Sequence, residues 1–166
     1  MPSRVDLARL PRTDEHFVGC QDELARLDNA WTTGKNAFSV VAWGGVGKTA
    51  LIVHWLGRLA ERHYDGARVY SWSFYSQGTD EGRLASADPF VDEALRRFGD
   101  PDPTVGSARD RGLRLAELLR TERTLLALDG VEPLQHPPDS VLAGRVKDPA
   151  LAALLKSALT TSLSKE

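Results

Sequence analysis

The sequence predicts an α/β fold in which a parallel sheet is flanked by helices, and three features lead to this prediction. Short runs rich in apolar and β-branched residues alternate along the chain with segments whose apolar residues recur every three or four positions. A glycine-rich stretch joins one of these runs to the helical segment that follows it. The 166 residues, of which 42% are hydrophobic, are enough for one core and too few for two ordinary domains.

In the first part of the chain, a lead-in is followed by a helix, a strand and a second helix. Residues 1–15 contain prolines and mixed charges without a clear period, so we expect a linker there and a folded domain over residues 16–166. Apolar residues at spacings of three and four predict a helix over residues 22–31. The apolar run at residues 38–42 predicts a strand buried on both faces, and the period that follows the glycines predicts a helix ending near His63.

The second part of the chain alternates in the same way. Strict alternation predicts a strand over residues 68–76, and an aspartate followed by a proline predicts a helix whose cap is Asp88. Leucines at helical spacing predict a helix over residues 108–120, which leads into a third strand at residues 124–128. A second Asp-Pro pair at residues 148–149 predicts the start of a final helix. The aromatic residues on one face of the 68–76 strand are predicted core residues: Tyr70, Trp72 and Phe74.

Charge and composition exclude several classes of protein. Twenty-one basic and 23 acidic residues leave a formal net charge of −2, without the basic excess that nucleic-acid binding by phosphate neutralisation usually shows, although a small local basic patch stays open. No apolar run approaches the roughly 18 residues of a membrane-spanning helix, and the charged N-terminus lacks the apolar core of a signal peptide. The single cysteine, Cys20, forbids an internal disulfide. We therefore expect a cytoplasmic protein with neither a membrane nor a nucleic-acid partner.

The most specific motif is AWGGVGKT at residues 42–49, which we call the glycine loop. It matches a phosphate-binding template in which a small residue and four further residues precede Gly-Lys and a serine or threonine. Glycines allow backbone N–H groups to point at anionic oxygens, and the helix that follows directs the positive end of its dipole at the same oxygens. The alternative is a glycine-rich turn that merely joins a strand to a helix.

Two side chains of this loop have specific predicted roles. Lys48 is expected to reach the β and γ oxygens of a nucleotide, and the Thr49 hydroxyl is expected to be a ligand of Mg²⁺. The predicted phosphate-binding residues are Gly44, Gly45, Val46, Gly47, Lys48, Thr49 and Ala50.

Two carboxylates follow the third predicted strand. Asp129 closes the run TLLAL, where it can hold a water of the magnesium shell opposite Thr49, so these two residues form the predicted metal site. The alternative is that Asp129 is an ordinary turn residue before Gly130. Glu132 is the nearby carboxylate that could orient or deprotonate an attacking water, which makes it the predicted catalytic residue. The alternative here is an exposed loop glutamate without a function.

Three segments together resemble the STAND class of P-loop NTPases, and within that class the NB-ARC and NACHT modules. They are FVG at residues 17–19, GGVGKT at 44–49 and LLALDGVE at 125–132. The likeness extends from about residue 16 to the end of the chain, and the origin-recognition type of AAA ATPase is similar too. The resemblance implies a P-loop NTPase-type parallel sheet with flanking helices, ATP or ADP as the ligand, and Mg²⁺ as its metal ion.

The resemblance also implies a role for Val18 and Gly19, because the matching segment of such proteins lines the adenine pocket through main-chain contacts. Cys20 and Gln21 stand where the family usually has arginine and an acid, and Pro133 stands in place of a second acid. Proteins of this class have five-stranded sheets in which a sensor strand lies between the acidic strand and the phosphate-loop strand. Only three strands are predicted here, so the chain resembles the front part of such a core, truncated on its C-terminal side.

We therefore expect a Mg-ATP- or Mg-ADP-binding module of a signalling or defence NTPase. Binding is favoured over hydrolysis, because turnover needs water, base and charge-stabilising groups to be held together. Self-association or further domains of a longer protein are the expected partners besides the nucleotide. One alternative is a non-catalytic scaffold fragment that keeps the outline of the pocket, and another is a small phosphotransferase, for which no acceptor site is evident.

Overall fold

The computed structural model of this chain describes residues 4–10, 19–34, 47–77 and 86–160. Within these ranges the architecture is mixed α/β, with five α-helices and a three-stranded parallel sheet, in agreement with the predicted class. The strands are β1 (Val5–Asp6), β2 (Arg68–Ser73) and β3 (Thr124–Asp129). The helices are α1 (Gln21–Thr32), α2 (Lys48–Ala60), α3 (Asp88–Arg97), α4 (Ala108–Arg120) and α5 (Pro149–Thr160).

β2 lies between the other two strands, and its register with β3 brings the carboxyl ends of both strands to one level. The ladder runs from the pair Arg68 and Thr124 to the pair Ser73 and Asp129. β2 is shorter than predicted, because the chain turns after Ser73 into the short 3₁₀ segment Phe74–Gln77. β3 ends at the same level, so a longer β2 would have no continuing ladder on that side. The two parallel strands therefore present their last residues at a common edge.

β1 is a strand that the sequence does not predict. It pairs in parallel with β2, although residues 1–15 are expected to form only a lead-in. Ser71 Oγ donates a hydrogen bond to the main-chain carbonyl of Asp6 at 3.1 Å, and Arg97 Nη1 donates to the Asp6 carboxylate at 2.8 Å. A strand of two residues has no detectable period, so only its contacts with distant parts of the chain define it.

The helices follow the sequence closely, with one correction. α1, α2 and α4 cover the segments predicted from their apolar periods. Asp88 is the first residue of α3 and not its cap, because Ala87 occupies the capping position and donates its N–H to Asp148 Oδ2 at 2.9 Å. Asp148 is the cap of α5 as predicted, since its Oδ1 accepts the N–H groups of Ala150 and Leu151, each at 2.9 Å.

Two hydrophobic layers enclose the sheet. α1 and α2 pack on the face that includes Val69, and α3, α4 and α5 pack on the opposite face. The second layer contains Tyr70 and Trp72 of β2 and Phe74 of the 3₁₀ segment that follows it, which confirms the prediction of these three residues as core. Phe90 of α3 lies against all three of these rings, Tyr70, Trp72 and Phe74, at centroid distances of 6.4, 5.7 and 5.7 Å. Helices on both faces leave the carboxyl edge of the sheet as the place where a ligand can approach the strands.

The strand predicted at residues 38–42 lies outside the described residues. Between β3 and α5, an isolated antiparallel bridge between Gln135 and Val146 closes the proline-containing loop. In the described part of the chain, none of the helices combines the length and the apolar character that crossing a membrane would require.

Candidate functional site

The carboxyl ends of β2 and β3 meet the first turn of α2 at one carboxylate. Thr49 Oγ1 of α2 donates a hydrogen bond to Asp129 Oδ1 at 2.9 Å. Ser73 Oγ, from the last residue of β2, donates to Asp129 Oδ2 at 3.2 Å. The two donors are 80 and 56 positions away from Asp129 in the sequence. Each oxygen of this carboxylate therefore accepts a hydroxyl hydrogen bond, and three separate elements meet at it.

Register and burial explain the contact between Ser73 and Asp129. The two residues are partners in the ladder of β2 and β3, and paired side chains of neighbouring strands lie on the same face of a sheet. Ser73 is fully buried at 0% exposure, and a buried hydroxyl group needs a hydrogen-bond partner. The Asp129 carboxylate is that partner, so the serine restricts how the carboxylate can turn.

Glu132 is held between two other side chains at the same edge. Lys48 Nζ lies 3.9 Å from Glu132 Oε1, and the Tyr75 hydroxyl donates a hydrogen bond to Glu132 Oε2 at 3.1 Å. Glu132 begins the short 3₁₀ segment that follows β3, and Tyr75 lies in the 3₁₀ segment that follows β2. The Lys48 side chain is 24% exposed and that of Glu132 is 54% exposed, so this ion pair lies at the solvent side of the site.

Gly130 allows the tyrosine ring to lie against the loop that follows β3. Its φ of +69° is in the left-handed region, and a Cβ atom at this position would lie 2.4 Å from Tyr75 Cδ2. Burial, the hydrogen bond to Glu132, and the charges of Glu132 and Asp129 together raise the pKa of the Tyr75 phenol above its ordinary value. The hydroxyl group therefore keeps its proton at neutral pH and acts as a donor to Glu132.

The start of α2 is suited to an anion. Gly47 caps the helix in the left-handed region at φ +85°, and a Cβ atom there would meet no atom of the described residues within 4 Å. The first N–H groups of a helix need acceptors from outside the helix. Among the five helices in the described ranges, α2 alone has neither an acidic residue in its first turn nor a side-chain acceptor at its cap. No carboxylate of its own first turn offsets the positive end of its dipole.

Four of the predicted site residues lie together at this edge, namely Lys48, Thr49, Asp129 and Glu132. Gly47 and Ala50 adjoin them at the start of α2. The other predicted phosphate-binding residues lie outside the described residues: Gly44, Gly45 and Val46.

The segment predicted to line an adenine pocket is described in part. Gly19 lies two residues before the first residue of α1, whereas Val18 lies outside the described residues. α1 packs against α2, since Trp55 Nε1 of α2 donates a hydrogen bond to Asp28 Oδ1 of α1 at 3.0 Å. Gly19 therefore adjoins the helix that is the direct neighbour of α2, and its role in binding a base remains a prediction.

Two residues of the site, Ser73 and Tyr75, are not predicted from the sequence. The alternation of β2 assigns both to the face opposite the aromatic core, without indicating a role. A weak signal is the polar side chain itself, because a serine near the carboxyl end of a strand next to the Asp129 strand can meet that carboxylate. No comparable signal marks Tyr75, since its contact depends on the chain leaving the strand after Ser73.

The oxygen atoms at this edge are of the kind that Mg²⁺ prefers. Mg²⁺ takes one or two protein oxygens and keeps several waters or phosphate oxygens as its other ligands. Thr49 supplies a hydroxyl and Asp129 a carboxylate, and their oxygens already lie 2.9 Å apart. No group of three or more His, Cys, Asp or Glu suited to a metal occurs in the described part of the chain. Thr49 and Asp129 therefore offer two oxygen types that Mg²⁺ takes as ligands.

Comparisons of the chain with models of known protein families, with curated proteins and with solved structures found no match.

Proposed function

We propose that this chain is a Mg-ATP- or Mg-ADP-binding module of the P-loop type, as in STAND signalling or defence NTPases. The observation that carries the proposal is the hydrogen bond between Thr49 and Asp129 at 2.9 Å. These residues belong to the two motifs on which the prediction was based, and they are far apart in the sequence. A glycine-rich turn and an unrelated turn aspartate would have no reason to meet in this way.

The proposed phosphate site is the start of α2. Its first N–H groups and its dipole attract an anion, and the Lys48 side chain adds a full positive charge beside them. Phosphate oxygens are strong acceptors for such charge-assisted hydrogen bonds. In this proposal Lys48 binds the terminal phosphates, and the glycine loop surrounds them.

The proposed metal residues are Thr49 and Asp129. When Mg²⁺ is bound it neutralises phosphate charge. Thr49 would offer its hydroxyl to the ion, and Asp129 would hold a water of its shell. Ser73 would keep the Asp129 carboxylate oriented through its hydrogen bond to Oδ2.

Nucleotide binding is proposed in preference to rapid turnover. Glu132 is the candidate for activating a water, but its carboxylate is engaged by Lys48 and Tyr75 on its two oxygens. A general base must be able to reach the water that it activates. Any hydrolysis is therefore expected to be slow.

Calorimetric titration with Mg-ATP and with Mg-ADP tests the proposal. The native chain should bind both, and Lys48→Ala should weaken binding by about two orders of magnitude, because charge-assisted hydrogen bonds contribute about 1.5–3 kcal/mol each. Lys147→Ala is the matched control, since Lys147 is an exposed lysine outside the site and its loss should leave the affinity unchanged.

Two results would contradict the proposal. The first is that neither the folded native chain nor any variant in the site binds a magnesium nucleotide at millimolar concentration. The second is that Lys48→Ala and Lys147→Ala bind equally well. A measurement of phosphate release by the native chain and by Glu132→Gln then tests the proposed role of Glu132, because equal rates would remove it from the mechanism.

A further inference from the structure

Lys48, Glu132 and Tyr75 form a chain of contacts that bears on regulation of the proposed nucleotide site. Lys48 Nζ lies 3.9 Å from one carboxylate oxygen of Glu132, and the Tyr75 hydroxyl is hydrogen-bonded to the other at 3.1 Å. The glutamate is thus fixed at both oxygens. We call these three residues the glutamate clamp.

In the clamp, Glu132 pairs with the Lys48 ammonium group, which a bound phosphate would also need as its partner. A nucleotide phosphate and the Glu132 carboxylate are both anions, and each gains its interaction with Lys48 at the expense of the other. We propose that the glutamate clamp is an autoinhibitory contact, in which Tyr75 holds Glu132 on Lys48 and so lowers the affinity for nucleotide. This inference rests on the proposed function, because it names a competitor within the same site.

The loop after β3 supports the part assigned to Tyr75. The ring lies so close to Gly130 that a Cβ atom there would be 2.4 Å from Cδ2, so the loop is shaped to receive it. Tyr75 is nevertheless 58% exposed. Its hydroxyl can therefore leave the glutamate without any part of the core being opened.

The clamp is weak enough to be displaced. An ion pair at 3.9 Å with a half-exposed carboxylate contributes little in water, and salt screens it. A triphosphate with its metal carries more charge than one carboxylate, so it should win at sufficient concentration. The clamp then sets the concentration threshold for binding and does not block the site.

The test measures dissociation constants for Mg-ADP. ADP has no γ-phosphate, so a triphosphatase activity cannot consume the ligand during the titration. Glu132→Gln removes the competing charge and should bind Mg-ADP about three to ten times more tightly than the native chain. Tyr75→Phe keeps the ring on Gly130 but removes the hydroxyl, and should bind about two to five times more tightly. In the double variant, Tyr75→Phe should add nothing to the effect of Glu132→Gln, because it acts through that glutamate.

Glu117→Gln is the matched control for the change in net charge. Glu117 is an exposed glutamate on α4, so its replacement alters the charge of the molecule equally without touching the site. Equal tightening by Glu117→Gln and Glu132→Gln would overturn the inference. It would also be overturned if Tyr75→Phe left the affinity unchanged, or if its effect persisted in full in the Glu132→Gln background.

The outcome separates this inference from the proposed function. If Lys48→Ala abolishes binding while Glu132→Gln and Tyr75→Phe bind like the native chain, the proposed function stands and the autoinhibitory role of the clamp is wrong. If binding by the native chain is too weak to measure but Glu132→Gln or Tyr75→Phe binds measurably, both are supported. If neither the native chain nor the variants bind, both are overturned.

Discussion

Ser71 and Ser73 are two buried serines of β2 that serve different partners. Both are 0% exposed, and their hydroxyl groups donate to the Asp6 carbonyl and to Asp129 Oδ2, respectively. Replacement of either by alanine leaves a partly buried acceptor with one hydrogen bond fewer. Each variant should therefore lose about 1 kcal/mol of unfolding free energy, measured by urea denaturation.

Only Ser73→Ala should also affect the proposed site. Without this hydroxyl, the Asp129 carboxylate is less well oriented, and we expect Mg-dependent ADP binding to weaken by about three- to tenfold. Ser71→Ala is the control with an equal structural cost. Calorimetry in the presence and absence of Mg²⁺ checks the expectation, and an equal loss of affinity in both variants would show that stability alone is responsible.

Among single residues, those that belong to a sequence motif can be predicted, whereas those whose role depends only on their place in the fold cannot. Lys48 and Thr49 follow from the glycine loop, and Asp129 follows from its place at the end of an apolar run. Ser73 could have been found only as one of several polar residues near the end of the neighbouring strand, because the predicted strand continues to residue 76. Tyr75 could not, because its contact with Glu132 arises between two short 3₁₀ segments with no sequence pattern.

Gly112 shows how closely two helices approach each other. It lies within α4, where a Cβ atom would be 2.2 Å from the main-chain oxygen of Ala150 at the start of α5. Alanine is favoured over glycine inside a helix by about 1 kcal/mol. Forcing backbone apart costs typically about 1–3 kcal/mol, so Gly112→Ala should be neutral at best and otherwise destabilise the chain, despite the better propensity of alanine.

Gly57→Ala is the matched control for this prediction. Gly57 is an exposed glycine inside α2, and within the described part of the chain a Cβ atom there would meet no other atom within 4 Å. Propensity acts alone at this position, so Gly57→Ala should raise the unfolding free energy by about 0.5–1 kcal/mol. Thermal or urea unfolding of both variants gives the comparison. A Gly112→Ala variant that is stabilised as much as Gly57→Ala would mean that the helices separate at no cost.

Helices and strands can be predicted from the sequence where their apolar residues recur at a regular spacing. The helices α1, α2 and α4 follow from apolar residues at spacings of three and four. β1 is too short for any period, and it is held by its pairing with β2 and by the ion pair between Asp6 and Arg97 at 2.8 Å. Such contacts between distant segments are invisible in a local pattern. The same reasoning explains why the predicted strand continues to residue 76, whereas β2 ends at Ser73.

At the scale of the whole molecule, the two hydrophobic layers and the candidate site occupy different parts of the sheet. The aromatic layer lies under α3, α4 and α5, whereas the polar side chains gather where β2 and β3 end. Substitutions in the core should therefore change stability without changing nucleotide affinity in the folded fraction. The aromatic core also contains a polar group of its own, at Tyr70.

Tyr70 links the stability of the whole chain to pH. The side chain is 1% exposed, and its hydroxyl has no hydrogen-bond partner in the described structure. Burial is the main reason that the pKa of this phenol is raised, and the negative charge of Glu93 raises it further, against the opposing charge of Arg9. The folded chain therefore holds this proton more tightly than the unfolded chain does. The resulting stability is complete below a pH of about 10 and is lost as the pH rises above that value. The reason is that ionisation of the Tyr70 phenol then stabilises the unfolded chain.

Tyr70→Phe should therefore become more stabilising, relative to the native chain, as the pH rises. At pH 7 it removes a buried hydroxyl without a partner, which should raise the unfolding free energy by up to about 1 kcal/mol. Between a pH of about 8 and about 11 this difference should grow, since phenylalanine has no proton to lose in the unfolded state. Urea denaturation of both chains across this range measures the difference, in which other alkaline titrations cancel. A difference that stays constant or shrinks with pH would show that the Tyr70 phenol ionises at least as easily in the folded core as in the unfolded chain.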